Sequence, residues 1–165
     1  MRNQPVYLGL CVAFIALVGG VLWQQSSGTS GSTRSVSLQP GDVAVGEALY
    51  TQNCAACHGV NLEGEENWQT PREDGSLPAP PHDASGHTWH HPDSMLFTYT
   101  KMGGEQTLAA QGIDFVSGMP GFGGQLSDEE IWNILAYIKS KWPERERAAQ
   151  ANRTAQEMAS KGDGQ

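Results

Sequence analysis

Residues 54–58 read Cys-Ala-Ala-Cys-His, and the rest of the chain is best read outward from this stretch. Cys-x-x-Cys-His is the haem c attachment motif. Two thiols separated by two residues can each add to a vinyl group of one haem and form thioethers. The following residue, His58, then falls beneath the iron as proximal ligand. A chance match is a poor explanation, at about 0.2% over the chain from composition alone. Other readings of the cysteines fare worse. A structural zinc site needs four ligands and usually two Cys pairs or Cys₂His₂, whereas only one such pair is present. A thioredoxin-type redox pair calls for a βαβ context that is absent. A two-residue spacer is strained for a structural disulfide.

The chain around this motif is 165 residues long, enough for about one domain. Its formal net charge is −8, with 10 Lys+Arg against 18 Asp+Glu. That balance excludes the basic footprint of a nucleic-acid binder. Three cysteines are too few for a disulfide scaffold. Residues 6–23, VYLGLCVAFIALVGGVLW, carry no charge. As a helix they would span roughly 27 Å, close to the bilayer core of about 30 Å. Arg2 precedes the run, so residues 1–5 are expected in the cytoplasm. An uncleaved transmembrane anchor is favoured over a signal peptide, whose apolar region is usually about 7–15 residues. Either reading exports the remainder. Residues 24–41 are rich in Ser, Gly and Thr and read as a flexible linker.

The haem domain is then expected over residues 42–142, all α, with no alternating strand pattern. One helix is predicted from Val43 to Gln52, ending at the Cys54 motif. Another starts after Pro92, with Asp93 or Ser94 as its cap, and runs through Met95, Leu96 and Tyr99 to Gly103-Gly104. The last opens at Ser127, with Glu130 completing a capping box. Ile131, Ile134, Leu135 and Ile138 give this helix one apolar face. Pro143 marks its stop. Residues 143–165 are polar on every side and are expected as a solvated helix fraying into a disordered tail. Glu63 to Ser76 is expected as a polar surface loop.

A low-spin electron carrier needs a sixth iron ligand, and Met is a soft choice that raises the potential. Met119 lies in Gly118-Met119-Pro120-Gly121, a rigid turn that can drape over the far haem face. Met95 and Met102 fall at helical positions, where Met is more often core. His82, His87, His90 and His91 gather around Trp89. The expectation is that Trp89 and one or two of these histidines hydrogen-bond the haem propionates. A second metal site, holding copper or zinc, is the alternative.

These segments resemble a monohaem class I c-type cytochrome over about 100 residues, 42–142. The resemblance is carried by Gly46-Glu47-Ala48-Leu49-Tyr50 before Cys54–Gly59, then by Met119-Pro120-Gly121-Phe122-Gly123. It continues in Leu126-Ser127-Asp128-Glu129-Glu130-Ile131-Trp132 with Tyr137. The resemblance implies an all-α fold wrapped round one covalent haem c and one-electron transfer by iron cycling. It implies close crossing of the first and last helices, with Gly46 and Tyr50 meeting Leu135 or Tyr137. It also implies a proline carbonyl bonded to the proximal His; among Pro78, Pro80 and Pro81 the reading leans to Pro80.

The expected function is therefore a membrane-tethered electron carrier rather than an enzyme, requiring no small-molecule substrate. Cys54 and Cys57 hold the haem, and His58 and Met119 ligate its iron. Its partners are redox proteins, expected to be membrane complexes with a basic docking patch. The expected location is the periplasmic face of a bacterial inner membrane. Two rivals are a copper-handling protein using residues 82–91 with the haem as redox partner, and a haem ligand sensor with an open sixth site.

Overall fold

A computed structural model describes residues 41–162. The expected anchor over 6–23 and nearly all of the linker over 24–41 lie outside the described residues. Among the described residues there is no strand, and no helix is long and apolar enough to cross a membrane. The helices are α1 (Val43–Asn53), α2 (Ala55–His58), α3 (Asp93–Met102), α4 (Gly104–Ala109), α5 (Asp128–Ser140) and α6 (Glu144–Gly162). A 3₁₀ turn covers Thr88–His90.

Helix α1 starts because the Asp42 carboxylate accepts the orphan N–H groups of Ala44 and Val45, at 2.9 and 3.1 Å. Gly46 and Tyr50, one turn apart, are its buried residues. They lie against α5. A Cβ on Gly46 would stand 1.9 Å from the Asn133 carbonyl oxygen and 3.0 Å from Tyr137 Cβ. Only glycine lets the two backbones approach so closely. The Tyr50 and Tyr137 rings meet beside this crossing at 5.3 Å. Buried Asn133 ties it from the other helix, accepting the Asp42 N–H at 2.7 Å.

Helix α5 opens on the expected capping box. Ser127 Oγ accepts from Glu130 N, and Glu130 Oε2 accepts from Ser127 N at 2.8 Å. Ile131, Ile134, Leu135 and Ile138 are all buried, so the predicted apolar face is the one that meets the core. Trp132 stacks on Phe97 of α3 with ring centroids 4.7 Å apart.

Two expectations about helix ends need correction. Neither Asp93 nor Ser94 caps α3; Pro92 occupies the N-cap position without a side-chain bond. The Asp93 N–H donates instead to Thr154 Oγ1 of α6 at 3.1 Å. The tail is also more ordered than its composition predicts. Pro143 ends α5 and leads directly into the 19-residue α6. Glu146, Gln150 and Thr154 form a buried stripe at i, i+4 and i+8. Gln150 Nε2 donates to Asp93 Oδ1 at 2.6 Å, and Ser94 Oγ donates to Glu157. Asp93, 3% exposed, also pairs with Lys139 at 2.8 Å. The docking face of α6 is thus polar, and a search for apolar periodicity does not see it.

Candidate haem site

Helix α2 is a single turn that begins where α1 stops. Cys54 N–H donates to Tyr50 O at 2.8 Å, and His58 N–H donates to Cys54 O at 2.9 Å. This turn places both thiols and the imidazole within five residues of rigid backbone. Cys54 is half-buried and Cys57 exposed, and neither is in a disulfide. Burial, and then the neighbouring Cys57, push the Cys54 thiol up to about 11.

His58 is buried, and its Nδ1 lies 2.9 Å from Pro80 O. Of the three candidate prolines, this contact belongs to Pro80. The contact makes Nδ1 the protonated nitrogen and leaves the Nε2 lone pair for a metal. Among the described residues Nε2 has no hydrogen-bond partner and is not sealed from solvent. Burial lowers the His58 pKa, against the opposing pull of the Pro80 bond, so the ring is poised as a neutral ligand. The proline segment is itself braced. Glu65 accepts the Ala79 N–H at 2.6 Å and a bidentate pair from Arg72 at 3.0 and 2.8 Å. These contacts hold the Glu65 carboxyl below its ordinary range, the Ala79 bond most strongly. The expected surface loop over Glu63–Ser76 is therefore a brace for the Pro80 carbonyl as well.

Met119 is half-buried against the core. Its loop lies along the C-terminal end of α3. Gly104 N–H donates to Met119 O at 3.1 Å, Phe122 N–H to Thr100 O at 3.0 Å, and Gly123 N–H to Lys101 O at 2.9 Å. Gly103 has φ +86°, and a Cβ there would lie 2.7 Å from Gly121 N and 3.0 Å from Met119 O. A cavity of about 570 Å³ opens beside this loop, lined by Gly103, Gln106, Ser117, Met119 and Gly121. None of Cys54, Cys57 and His58 lines it, so the donor set, not the cavity, locates the site. Of the other two methionines in the domain, Met102 is 38% exposed and Met95 sits on α3.

The His-rich segment is held by local contacts. Trp89 Nε1 donates to Gly86 O at 3.1 Å, closing a tight turn. Each of the four imidazoles packs against another ring, and His87 and His91 share one of these contacts. His82 stacks on His58 with centroids 3.9 Å apart, His87 stacks on Trp68 at 5.4 Å, and His90 lies against Trp89 at 3.7 Å. His91 meets His87 edge-on at 5.5 Å. Among the described residues no three His, Cys, Asp or Glu side chains gather as a metal group. Burial holds His82 well below its ordinary pKa, with His58 adding to the effect. The sequence reading missed His82 as a neighbour of His58. Its position two residues after Pro80 was the available signal.

The donor set fits a haem: two unpaired thiols and an imidazole on one turn, with the far imidazole nitrogen bonded to a backbone carbonyl. Fold and site together define a class I c-type cytochrome carrying one covalent haem c. Residues 41–138 match the family described as cytochrome c oxidase, cbb3-type, subunit III, and the chain belongs to this family. It is 32% identical over 105 residues to a cytochrome c6 of Diacronema lutheri, covering 61% of this chain and 98% of that protein. It is 27% identical over 124 residues to the gluconate 2-dehydrogenase cytochrome c subunit of Pantoea cypripedii, covering 72% of this chain but 24% of that subunit. A crystal structure of cytochrome c6 from the diatom Phaeodactylum tricornutum is 28% identical, with a TM-score of 0.37, covering 59% of this chain and 91% of that one. The chain is a monohaem electron carrier that works with redox protein partners.

Proposed function

We propose that this cytochrome is a membrane-tethered carrier with His58 and Met119 as axial ligands, passing single electrons without substrate chemistry of its own. The observation that carries the reading is the His58 Nδ1–Pro80 O contact at 2.9 Å on the same turn as Cys54 and Cys57. It fixes the ring tautomer and presents Nε2 as the proximal donor. Haem iron, when bound, supplies a reversible one-electron couple. The chain's own residues hold that couple's surroundings constant. Cys54 and Cys57 fix the macrocycle, Pro80 orients the His58 ring, and the backbone bonds of the 119–123 loop hold Met119. A rigid shell lets an electron move with little rearrangement.

The charge-free run over 6–23, preceded by Arg2, supports a tether with the haem domain on the periplasmic side of a bacterial inner membrane. The Ser-, Gly- and Thr-rich composition of residues 24–41 supports a tether that would keep the haem near membrane partners. The net charge of −8 favours docking on a basic patch, with association weakening as salt rises. The deciding test is the optical spectrum of the ferric protein. A weak band near about 700 nm, marking Met–iron(III) bonding, is expected and should vanish in Met119→Ala. A high-spin or bis-His spectrum in the wild type overturns the assignment of Met119.

A further inference from the structure

We propose that His82 is a positioning residue for the proximal ligand, its ring forming a fixed flat wall against which His58 is set. This inference rests on the reading of His58 as a haem ligand. The two imidazoles are stacked face to face, 3.9 Å between centroids and 20° between planes. The Pro80 bond holds one edge of the His58 ring, at Nδ1. A hydrogen bond at one ring atom still permits tilting about that contact. The His82 face removes this freedom by contact along the ring.

A wall is useful only if it is itself fixed, and His82 is fixed from several directions. Its Nδ1 lies 2.8 Å from Thr88 Oγ1. The Thr88 hydroxyl donates onward to Pro81 O at 3.4 Å, so the imidazole supplies the N–H in the first contact. Thr88 is buried, and water does not compete for it. The His82 backbone is tied at both polar groups. Its N–H donates to Leu62 O at 2.8 Å, and its carbonyl accepts from Trp142 Nε1 at 2.7 Å. Trp142 is 1% exposed, and its own carbonyl accepts from Arg147 of α6 at 2.7 Å. The edge of Tyr50 closes a further side at 6.4 Å. An aliphatic side chain at this position would fill space without a flat face and without an anchor on Thr88. An imidazole offers both. Partners outside the metal's own ligands that orient a coordinating imidazole tune the metal, as do burial and solvent access.

The test uses the haem-loaded protein and three variants: His82→Ala, His82→Phe and His82→Leu. The readouts are the midpoint potential and the paramagnetically shifted haem-methyl resonances of the ferric state, which report the plane of the axial imidazole. In His82→Ala, water gains the face of His58 and favours the ferric form. The oxidised-to-reduced equilibrium is expected to move about tenfold, which is 59 mV for one electron, with an altered methyl pattern. His82→Phe keeps a flat wall and should stay within about threefold of wild type. His82→Leu, without one, should follow His82→Ala. A His82→Ala protein with the wild-type methyl pattern and a potential within about twofold overturns the proposal. Should His82→Ala fail to accumulate, Phe and Leu variants with the same potential and methyl pattern overturn it equally. Loss of the Met119 band in the wild type is a separate failure, because the methyl comparison still reads the plane of His58.

Discussion

Gly46→Ala tests the crossing on which the haem-bearing turn is built. The new Cβ would stand 1.9 Å from Asn133 O and 2.6 Å from Asn133 C. Both obstacles are backbone of α5, so no rotamer change relieves them. The helices must part by roughly 1.5 Å to reach ordinary contact distance. That movement strains the Asp42 N–Asn133 Oδ1 bond at 2.7 Å and opens the Tyr50–Tyr137 contact at 5.3 Å. Overpacking of this kind costs about 1–3 kcal/mol, and a clash with fixed backbone belongs at the upper end. Alanine regains about 1 kcal/mol of helix propensity. The expected net loss is therefore about 2 kcal/mol, or roughly 8 °C in Tm for a unit of this size. Urea denaturation followed by far-UV circular dichroism, at matched haem content, measures it. Ala48→Gly, at an exposed site on the same helix, supplies the control and should lose about 1 kcal/mol from propensity alone. A Gly46→Ala protein as stable as wild type, or more so, refutes the argument, because it would show that the helices accept a side chain at their crossing.

Asp93→Ala should cost about 1–2 kcal/mol, since it removes the shortest of the three acceptors of the buried Gln150 amide and leaves only the longer contacts to His91 O and Thr154 Oγ1, while Lys139, partly exposed, can rehydrate. Hydrogen exchange should speed up selectively over 144–162; unchanged protection there sinks the account of α6 docking. His91 is held below its ordinary pKa by burial, then by His87, His90 and Arg153. The unfolded chain takes up that proton near pH 6.5 while the folded one resists, so stability is present above about 6.5 and lost as pH falls below it. His91→Gln should flatten the stability–pH curve in this window, and an unchanged slope counts against the assignment. Gly103→Ala combines a left-handed backbone with a Cβ 2.7 Å from Gly121 N and should push the Met119 loop outward. The expected readout is a weakened band near about 700 nm, and full intensity contradicts the role given to Gly103.

What was legible in the sequence was what depends on neighbours along the chain. The Cys54–His58 turn needs only its own spacing. The Ser127–Glu130 capping box needs three residues, and the α5 apolar face is a plain helical period. Less was legible where the partner lies far away. Asp93 looks like a cap by composition, yet its environment is set by Lys139, Gln150 and Thr154, all more than 45 positions on. The stripe of Glu146, Gln150 and Thr154 does have helical period, but hydropathy cannot weigh polar residues that bury by hydrogen bonding, as Gln150 does to Asp93 and Thr154. Nor does Gly86 give any sign in sequence that its carbonyl turns back to the Trp89 indole.

The two sides of the site are held by different means, and the difference follows from residue type. On the Met119 side the loop is glycine-rich and bonds mainly through its backbone to the end of α3, with Ser117 Oγ accepting the Met119 N–H at 3.2 Å. On the His58 side, side chains do the holding: Glu65 and Arg72 brace the Pro80 segment, while Thr88 and Trp142 lock His82. Those two side-chain systems reach His58 separately, one at its Nδ1 edge and the other at its ring face. Helix α6 feeds the second through Arg147 and Trp142, which gives a polar C-terminal helix a reason to be docked at all. On the proposed ligation, a ring held at edge and face would keep its orientation when the iron's charge changes. The proposed ligand and its two supports thus lie on the same side of the site as Cys54 and Cys57, which share the α2 turn with His58.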